Sequence, residues 1–186
     1  MKTLTAQMPD LETQPRYNIS IKEANDLLNE GLPLINANVE GNLKNIVTSW
    51  DKEVFIDNCN IKNFVGTVTH FEKPVKFINS HFRNCQFIFS YFLQGLVIDN
   101  CTFDKYLDFQ AGGHNKLGHS IIIQNNIFSD FVNFFDCWYN GEVSVRNNKF
   151  NKGTNIESKN QLITFDIPPV IRDNTGQTNI EAEFVD

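Results

Sequence analysis

Apolar and polar positions along the chain follow one pattern that recurs at intervals of 21 to 25 residues. Its clearest copy is Leu96-Val97-Ile98-Asp99-Asn100-Cys101-Thr102-Phe103, in which apolar residues precede an asparagine by four and two positions and a phenylalanine follows it by three. We name the central residues the register asparagines: Asn36, Asn58, Asn79, Asn100, Asn125 and Asn147. Subtraction gives separations of 22, 21, 21, 25 and 22 residues. A repeat of this length indicates a solenoid.

Alternating apolar residues on both sides of each register asparagine predict strands with one buried face. The two preceding columns are wholly apolar: Leu32, Val54, Val75, Leu96, Ile121 and Val143, then Leu34, Ile56, Phe77, Ile98, Ile123 and Val145. The two following columns are Ala37, Cys59, Ser80, Cys101, Asn126 and Asn148, then Val39, Ile61, Phe82, Phe103, Phe128 and Phe150. The phenylalanine column is predicted to be a core stack, and the asparagines to occupy corners, where this residue tolerates left-handed geometry.

A third and a fourth inward pair complete each predicted coil. The third pair lies seven and nine residues after the asparagine: Leu43, Val65, Gln86, Leu107, Val132 and Thr154, with Asn45, Thr67, Ile88, Phe109, Phe134 and Ile156. A weaker fourth pair comprises Thr48/Trp50, Tyr91/Leu93 and Cys137/Tyr139. The steps between pairs are then five, six, five and five residues, which predicts four corners per coil.

This rhythm resembles the pentapeptide-repeat family of right-handed quadrilateral β-helices, in which a large central residue follows a small one by two positions. Cys101 with Phe103 and Cys59 with Ile61 match that small-to-large spacing. The chain departs from the family in its six-residue side and in lacking the Ala-Asp/Asn-Leu consensus. A three-faced helix of the pectate-lyase type has a similar coil length and stays open as an alternative.

The predicted fold is therefore all-β: a right-handed parallel β-helix of about six to seven coils of 21–22 residues with a short N-terminal capping helix. We expect a mobile arm over residues 1–17, the helix within 18–31, coils over 32–157, and a C-terminal coil or cap with an acidic tail over 158–186. Ser20 and Glu23 form a capping box. Phe165-Asp166-Ile167 is a candidate seventh strand, with pairing ended by Pro168-Pro169.

Composition and charge narrow the function classes. The 186 residues suit one domain, and a hydrophobic content of 41% is enough for a core. The formal net charge is −6 with dispersed Lys and Arg, so direct nucleic-acid binding is not expected. No apolar run is long enough for a bilayer, and the N-terminus lacks the apolar core of a signal peptide, so we expect a cytoplasmic protein of bacterial type without membrane contact. Cys59, Cys85, Cys101 and Cys137 lack metal-site spacing and are predicted to be buried and reduced.

The interval between Asn100 and Asn125 is longer than its neighbours, and the surplus falls within residues 110–120. Three glycines and two histidines predict a projecting loop at a corner, and insertions in repeat proteins often mark the functional face. The candidate binding residues are His114, Asn115, Lys116 and His119. A tolerated loop without function is an equally weighted interpretation.

Catalytic chemistry has weaker support. Clustered aspartates on one face are typical of β-helical carbohydrate-active enzymes, and the candidates here are Asp99, Asp104, Asp108 and Asp130. Scattered carboxylates in an acidic protein are more often a solvated face. No nucleophile-elbow, zinc-protease, phosphate-loop or dinucleotide motif occurs, and no metal or cofactor is predicted.

The favoured hypothesis is a non-enzymatic β-helical binding or scaffold protein that recognises a protein partner through a rod face or the 110–120 loop. A small carbohydrate-active enzyme is the alternative. The family resemblance also implies a third reading, an acidic mimic of DNA that acts on a topoisomerase. The open end of the rod is a candidate surface for homodimerisation.

Overall fold

A computed structural model describes residues 15–44 and 48–181, and for Lys44 it describes the backbone alone. Within these residues the chain is a right-handed parallel β-helix of about seven turns with one short helix near its N-terminus. The predicted fold class is confirmed. Residues 1–14 of the arm predicted for 1–17, the inward Asn45 and the tail after residue 181 lie outside the described residues.

The strands lie on four sides of the rod. Face 1 precedes the register asparagines and contains Leu34–Ile35, Val54–Asp57, Val75–Ile78, Leu96–Asp99, Ile121–Gln124, Val143–Arg146 and Val170–Arg172. Face 2 follows them and contains Tyr17–Asn18, Ala37–Lys44, Asn60–Val65, His81–Gln86, Thr102–Phe103, Ile127–Phe128 and Lys149–Phe150. The three longest of these strands continue round the next corner onto face 3. Face 3 contains Leu107–Asp108 and Val132–Asn133. Face 4 contains Ser49–Trp50, His70–Phe71, Tyr91–Phe92, Trp138–Tyr139 and Thr164–Phe165. The helix is Ile21–Asn29.

The register asparagines form the corner between faces 1 and 2. All six have φ between 48° and 58°, the left-handed region that asparagine tolerates better than most residues. The Asn58 amide donates to Asn36 at 2.7 Å, and Asn100 donates to Asn79 at 2.8 Å. Asn79 and Asn125 instead donate to the carboxylates of Asp57 and Asp99. The corner column is therefore structural, as predicted.

Stacked aromatic rings fill the core. Phe82, Phe103, Phe128 and Phe150 form the predicted column, with ring centroids 5.1, 5.1 and 5.0 Å apart. A second stack on face 3 joins Phe87, Phe109 and Phe134 at 5.4 and 5.1 Å. Parallel strands bring equivalent residues of successive coils to about 4.8 Å, which is close to ring-stacking distance.

Two coils contradict the predicted register of the third and fourth pairs. Residues 54–74 and 75–95 are here called the short coils. The buried apolar side chains on their faces 3 and 4 are Phe64, Phe71, Cys85, Phe87 and Phe92. The predicted inward residues there, Val65, Thr67, Gln86, Ile88, Tyr91 and Leu93, are only partly buried. The prediction failed because it extended the six-residue side to every coil. Only the coil containing Leu43 and the long coils, residues 96–120, 121–142 and 143–169, have inward residues at the predicted third pair.

The helix caps the first coil. Ser20 Oγ accepts a hydrogen bond from the Glu23 amide at 3.1 Å, which confirms the capping box. Ala24 and Leu28 are buried, and Leu28 shares a small apolar cavity with Leu43 and Val54. Two details differ from expectation. Tyr17–Asn18 pairs with Ala37–Asn38 and so belongs to the sheet, and Leu32 is exposed because its amide still closes the helix by bonding the Leu27 carbonyl.

The rod continues beyond the predicted end of the coils. Thr164–Phe165 pairs with Trp138–Tyr139 on face 4, and Val170–Arg172 pairs with Ser144–Arg146 on face 1. The candidate seventh strand at Phe165-Asp166-Ile167 was therefore assigned to the wrong face. Pro168 and Pro169 do not end pairing because they precede the last strand, where missing backbone donors cost no ladder bond.

Candidate functional site

The four aspartates of the enzyme hypothesis occupy hydrogen-bonded positions. The Asp99 carboxylate accepts one hydrogen bond from the Gln124 side-chain amide and one from the Asn125 side-chain amide, each at 2.8 Å. Asp104 contacts His81 Nε2 at 2.8 Å on face 2, and Asp130 contacts Lys152 Nζ at 2.9 Å. These contacts join neighbouring coils, so each carboxylate has a structural role.

Asp108 is the most buried of the four. It lies on face 3, where Asn133 Nδ2 and the Gln110 amide both donate to its Oδ1, at 3.0 and 2.9 Å. Burial raises the pKa of the Asp108 carboxyl, and the hydrogen bonds oppose that rise. Asn155 extends the same column by donating to Asn133 at 2.8 Å. The arrangement is a buried amide ladder ending in one acid.

The predicted 110–120 loop projects only at its tip. Gly112 and Gly113 lie buried in the wall, and Gly113 bridges Tyr91 and Trp138 in the sheet of face 4. Its φ of +100° and the Trp138 carbonyl, 2.5 Å from any added Cβ, leave room for glycine alone. Asn115 is also buried, donating to His119 and Glu142 carbonyls and accepting from the Gly141 amide.

The exposed part of this loop is Lys116, Leu117 and Gly118, and the Leu117 side chain is 71% exposed. The expectation of a projecting segment over residues 110–120 is therefore corrected to these three residues. Of the four binding candidates, Asn115 is enclosed, while His114 and His119 are half-buried and Lys116 is exposed. Their role in binding stays a prediction.

His114 belongs to an outward-facing stack of rings on face 4, which we name the aromatic ladder: His70, Tyr91, His114 and Trp138. The His70 and Tyr91 rings are parallel with centroids 4.4 Å apart. His114 lies 4.1 Å from Tyr91 and 6.0 Å from Trp138, and takes the place that Gly113 leaves empty. Trp138 is 48% exposed and donates to Asp166 at 2.9 Å. The half-buried Tyr91 ring therefore lies between the His70 ring, which is parallel to it, and the His114 ring, which is tilted by 50°.

Beside the ladder, between faces 3 and 4, a corner column has left-handed backbone without glycine. Its members are Val68, Phe89, Ala111, Asp136 and Leu162, all with φ between 52° and 55°. The backbone amides of Val68 and Phe89 each bond the following coil at 2.8 Å, so the coil imposes this geometry. Val68 is 55% exposed, Phe89 is 49% exposed and Leu162 is 64% exposed.

This corner combines two unfavourable features. Left-handed geometry costs roughly 1–2 kcal/mol for a residue with a side chain, and it suits β-branched residues least. Large apolar side chains in solvent add nothing to the core. Strained backbone of this kind clusters at functional sites. Val68 and Phe89 lie two residues before His70 and Tyr91, so the corner and the ladder form one continuous surface, which we name the apolar ridge.

Sequence reasoning placed only His114 on this surface. Val68 and Phe89 share one offset, ten residues after Asn58 and Asn79, and this shared offset was the available signal. It was missed because the third and fourth pairs of the short coils were assigned one residue out of register.

Burial shifts the pKa values of His114 on the ridge and of the cysteines in the core. Burial lowers the pKa of His114, and the nearby His70 lowers it further, so His114 is neutral near pH 7. The cysteines are buried and unpaired in the structure, as predicted, and burial raises the pKa of Cys59 to about 11. Thiols of this kind are poor nucleophiles. Among the residues that the structure describes, no cluster of three or more His, Cys, Asp or Glu side chains could hold a metal ion.

A scan against protein-family models, a search of curated proteins and a search of solved structures each found no match. In the described ranges, no helix has the length and apolar character that crossing a bilayer requires.

Proposed function

We propose that this protein is a non-enzymatic binding or scaffold protein that recognises a protein partner through the apolar ridge. The observation that carries the proposal is the exposure of Val68, Phe89 and Leu162 at left-handed corner positions beside the aromatic ladder. Exposed apolar groups that cost stability and add nothing to the core are typical of an interaction surface. Aromatic side chains are enriched at the centres of such surfaces.

A protein partner fits the ridge better than a carbohydrate. Sugars stack on the open faces of aromatic rings, whereas Tyr91 is covered on both faces by His70 and His114. Ring edges and aliphatic tips suit an apolar groove on another protein instead. The hydrogen-bonding of Asp99, Asp104, Asp108 and Asp130 gives the carbohydrate-active alternative no further support.

We also propose that this chain is related to the pentapeptide-repeat proteins. In one short coil, Phe77, Phe82, Phe87 and Phe92 are all buried and follow one another at five-residue intervals, one on each side. This spacing supports a divergent relative of the pentapeptide-repeat proteins, working in a bacterial cytoplasm. DNA mimicry is less well supported because face 1 carries Arg146 and Arg172 as well as aspartates.

The test is the substitution Phe89→Asn. Asparagine tolerates left-handed backbone, so we expect the free energy of unfolding to stay constant or to rise by up to about 1 kcal/mol. Capture from a lysate of the source cell identifies the partner, and titration calorimetry measures its affinity. We expect the dissociation constant to rise by about tenfold or more, as for a central aromatic residue of an interface.

Ile127→Asn is the matched control, because it removes a similarly exposed apolar side chain from face 2. It should leave partner affinity unchanged. If Phe89→Asn and Trp138→Ala both fold and bind the partner like wild type, the ridge is not the recognition surface and the proposal fails.

A further inference from the structure

Face 1 presents two outward columns that run the length of the rod. Its strands pair in register. Buried and half-buried residues alternate along the five four-residue strands, whereas Val170 and Arg172 of the last strand are exposed. The first outward column is Phe55, Lys76, Val97, Ile122, Ser144 and Val170. The second is Ile35, Asp57, Ile78, Asp99, Gln124, Arg146 and Arg172, and Ile35 lies beyond the six strands used below. The first column is mainly apolar, and the second carries most of the charge.

Charge on this face is divided between the two halves of the rod. Asp57 and Asp99 lie in the half nearer the N-terminus, where Lys76 is balanced by Glu53 at 2.9 Å. Arg146 and Arg172 are direct neighbours in the other half. Within residues 15–44 and 48–181, Arg146 forms no ion pair, and Arg172 has only a 3.6 Å contact with the adjacent, exposed Asp173. Two adjacent guanidinium groups repel each other and favour an acidic partner.

This division makes face 1 complementary to a second copy of itself turned end to end. A two-fold axis along the strand direction sets each column against the same column of the other copy, in reversed order. With the axis between Leu96–Asp99 and Ile121–Gln124, Val97 opposes Ile122 of the second copy, Phe55 opposes its Val170, and Asp57 opposes its Arg172. An axis through Leu96–Asp99 would instead oppose two copies of Asp99. A parallel arrangement would set the apolar column against the charged one.

We propose that two copies of this protein associate through face 1 in this antiparallel arrangement. Stacked sheets lie about 10 Å apart, which suits interdigitation of the apolar column. Six strand spacings of about 4.8 Å and four residues of about 3.3 Å give a footprint of roughly 29 Å by 13 Å. That is below the ~800 Å² per partner of a standard interface, so the dimer is weak and depends on concentration. Its two charge pairs make it weaker at high salt.

The experiment is sedimentation velocity on the full chain, from low micromolar to near-millimolar concentration, at low and at high salt. We expect a reversible monomer–dimer equilibrium. Arg172→Glu and Asp57→Arg should each raise the dissociation constant about tenfold, because each sets like charges opposite one another at both symmetric positions. The double variant D57R/R172E restores opposite charges and should return the dissociation constant to within about threefold of wild type.

Two further variants keep the test decisive. Asp57 accepts a hydrogen bond from Asn79, so Val97→Glu, which removes no such bond, provides an independent break at the centre of the face. Lys149→Glu makes the same charge change as Arg172→Glu on the exposed surface of face 2 and should leave the equilibrium unchanged. Far-ultraviolet dichroism and melting confirm that each variant is folded. A monomer at all concentrations, or a dimer that survives Arg172→Glu and Val97→Glu alike, overturns the proposal; the second result would point to the rod end.

Discussion

The short coils and the long coils of this rod fill its interior with different kinds of side chain. In the short coils, buried phenyl rings from all four sides contact one another in the core. The Phe87 ring, for example, contacts the rings of Phe64, Phe77 and Phe92. In the long coils, one extra residue on face 3 leaves Asp108, Asn133 and Asn155 buried between inward neighbours. Those polar groups bond one another from coil to coil. An insertion of one residue is thus accommodated by a hydrogen-bonded ladder.

The small inward column beside the register asparagines shows a similar change one coil later, after Cys101 of the first long coil. It holds Cys59, Ser80 and Cys101 in the first half of the rod, then Asn126 and Asn148. Asn126 accepts from the Cys101 amide at 2.8 Å and donates to the Ile98 carbonyl at 2.9 Å. Asn148 repeats this pattern one coil later. The second half of the rod is therefore held together by buried amides whose loss leaves polar groups unpaired.

The largest expected effect is in the short coils. Phe87→Ala removes a fully buried ring with ring neighbours on several sides, and should lower the free energy of unfolding by about 3–5 kcal/mol. Urea unfolding followed by dichroism measures the loss. Phe131→Ala, which removes a partly exposed ring stacked on Tyr106, is the control and should cost far less. Equal losses would mean that ring burial does not govern the short coils.

In the long coils we expect the buried side-chain amide of Asn126 to contribute strongly to stability. Asn126→Ala leaves the buried Cys101 amide without its acceptor and removes one donor to the Ile98 carbonyl, at a cost of about 1–3 kcal/mol for the unpaired amide. Ser80→Ala at the same column of a short coil removes the acceptor of the Cys59 amide but a smaller side chain, and should cost less. Urea unfolding of the two variants compares the columns directly. A larger loss for Ser80→Ala would remove the contrast between the two halves.

The period of the apolar residues made much of this fold predictable. The strands of faces 1 and 2, the asparagine corner and the Phe82–Phe150 stack all followed from residues repeated at fixed offsets, and the capping helix followed from the capping box of Ser20 and Glu23. The short-coil register did not, because the six-residue side of the other coils was extended to them although Phe77, Phe82, Phe87 and Phe92 already showed five-residue steps. The last strand was missed because Pro168-Pro169 was interpreted as a terminator.

The apolar ridge could not be read from the sequence in the same way. Phe89 follows Phe87 and Ile88 in an apolar run, and sequence alone does not distinguish a buried ring from an exposed one at a corner. Its exposure depends on the left-handed turn that the coil imposes. Conversely, Asn115 looked like a surface residue of a polar loop but is enclosed by backbone groups of the next coil.

Asp108 offers a smaller test of the amide ladder, through pH. Burial raises its pKa, so the folded protein binds this proton more tightly than the unfolded chain does. Stability contributed by the protonated form is therefore lost as the pH rises from the ordinary carboxyl range through the raised pKa. Asp108→Asn should melt higher than wild type at pH 7, with the difference shrinking in acid. Melting curves of both proteins across that range measure it. A variant that is less stable at pH 7 would show that the charge itself supports the ladder.

The smallest expected effect concerns the loop in the first long coil. Gln94-Gly95 of the short coil occupies the place that Lys116 to Ser120 occupy in the next, as the bond from the Lys116 amide to the Leu93 carbonyl shows. Replacing residues 116–120 by Gln-Gly shortens this corner to the length of its neighbour and keeps Asn115 bonded to Glu142 and Gly141. Two hydrogen bonds are lost, from Asn115 to the His119 carbonyl and from the His119 amide to the Lys116 carbonyl. Because loop length costs little entropy and both bonds lie within the removed turn, stability should change by about 1 kcal/mol or less.

The same variant separates the loop from the ridge as the recognition surface. His114 and the aromatic ladder are untouched, so partner affinity should stay at the wild-type value if the ridge binds the partner. Calorimetry with the partner captured by wild type decides between the loop and the ridge, with Phe89→Asn measured alongside. If affinity falls in the shortened protein and persists in Phe89→Asn, then Lys116, Leu117 and His119 form the contact, and the strained corner beside the ladder must be explained by something other than binding.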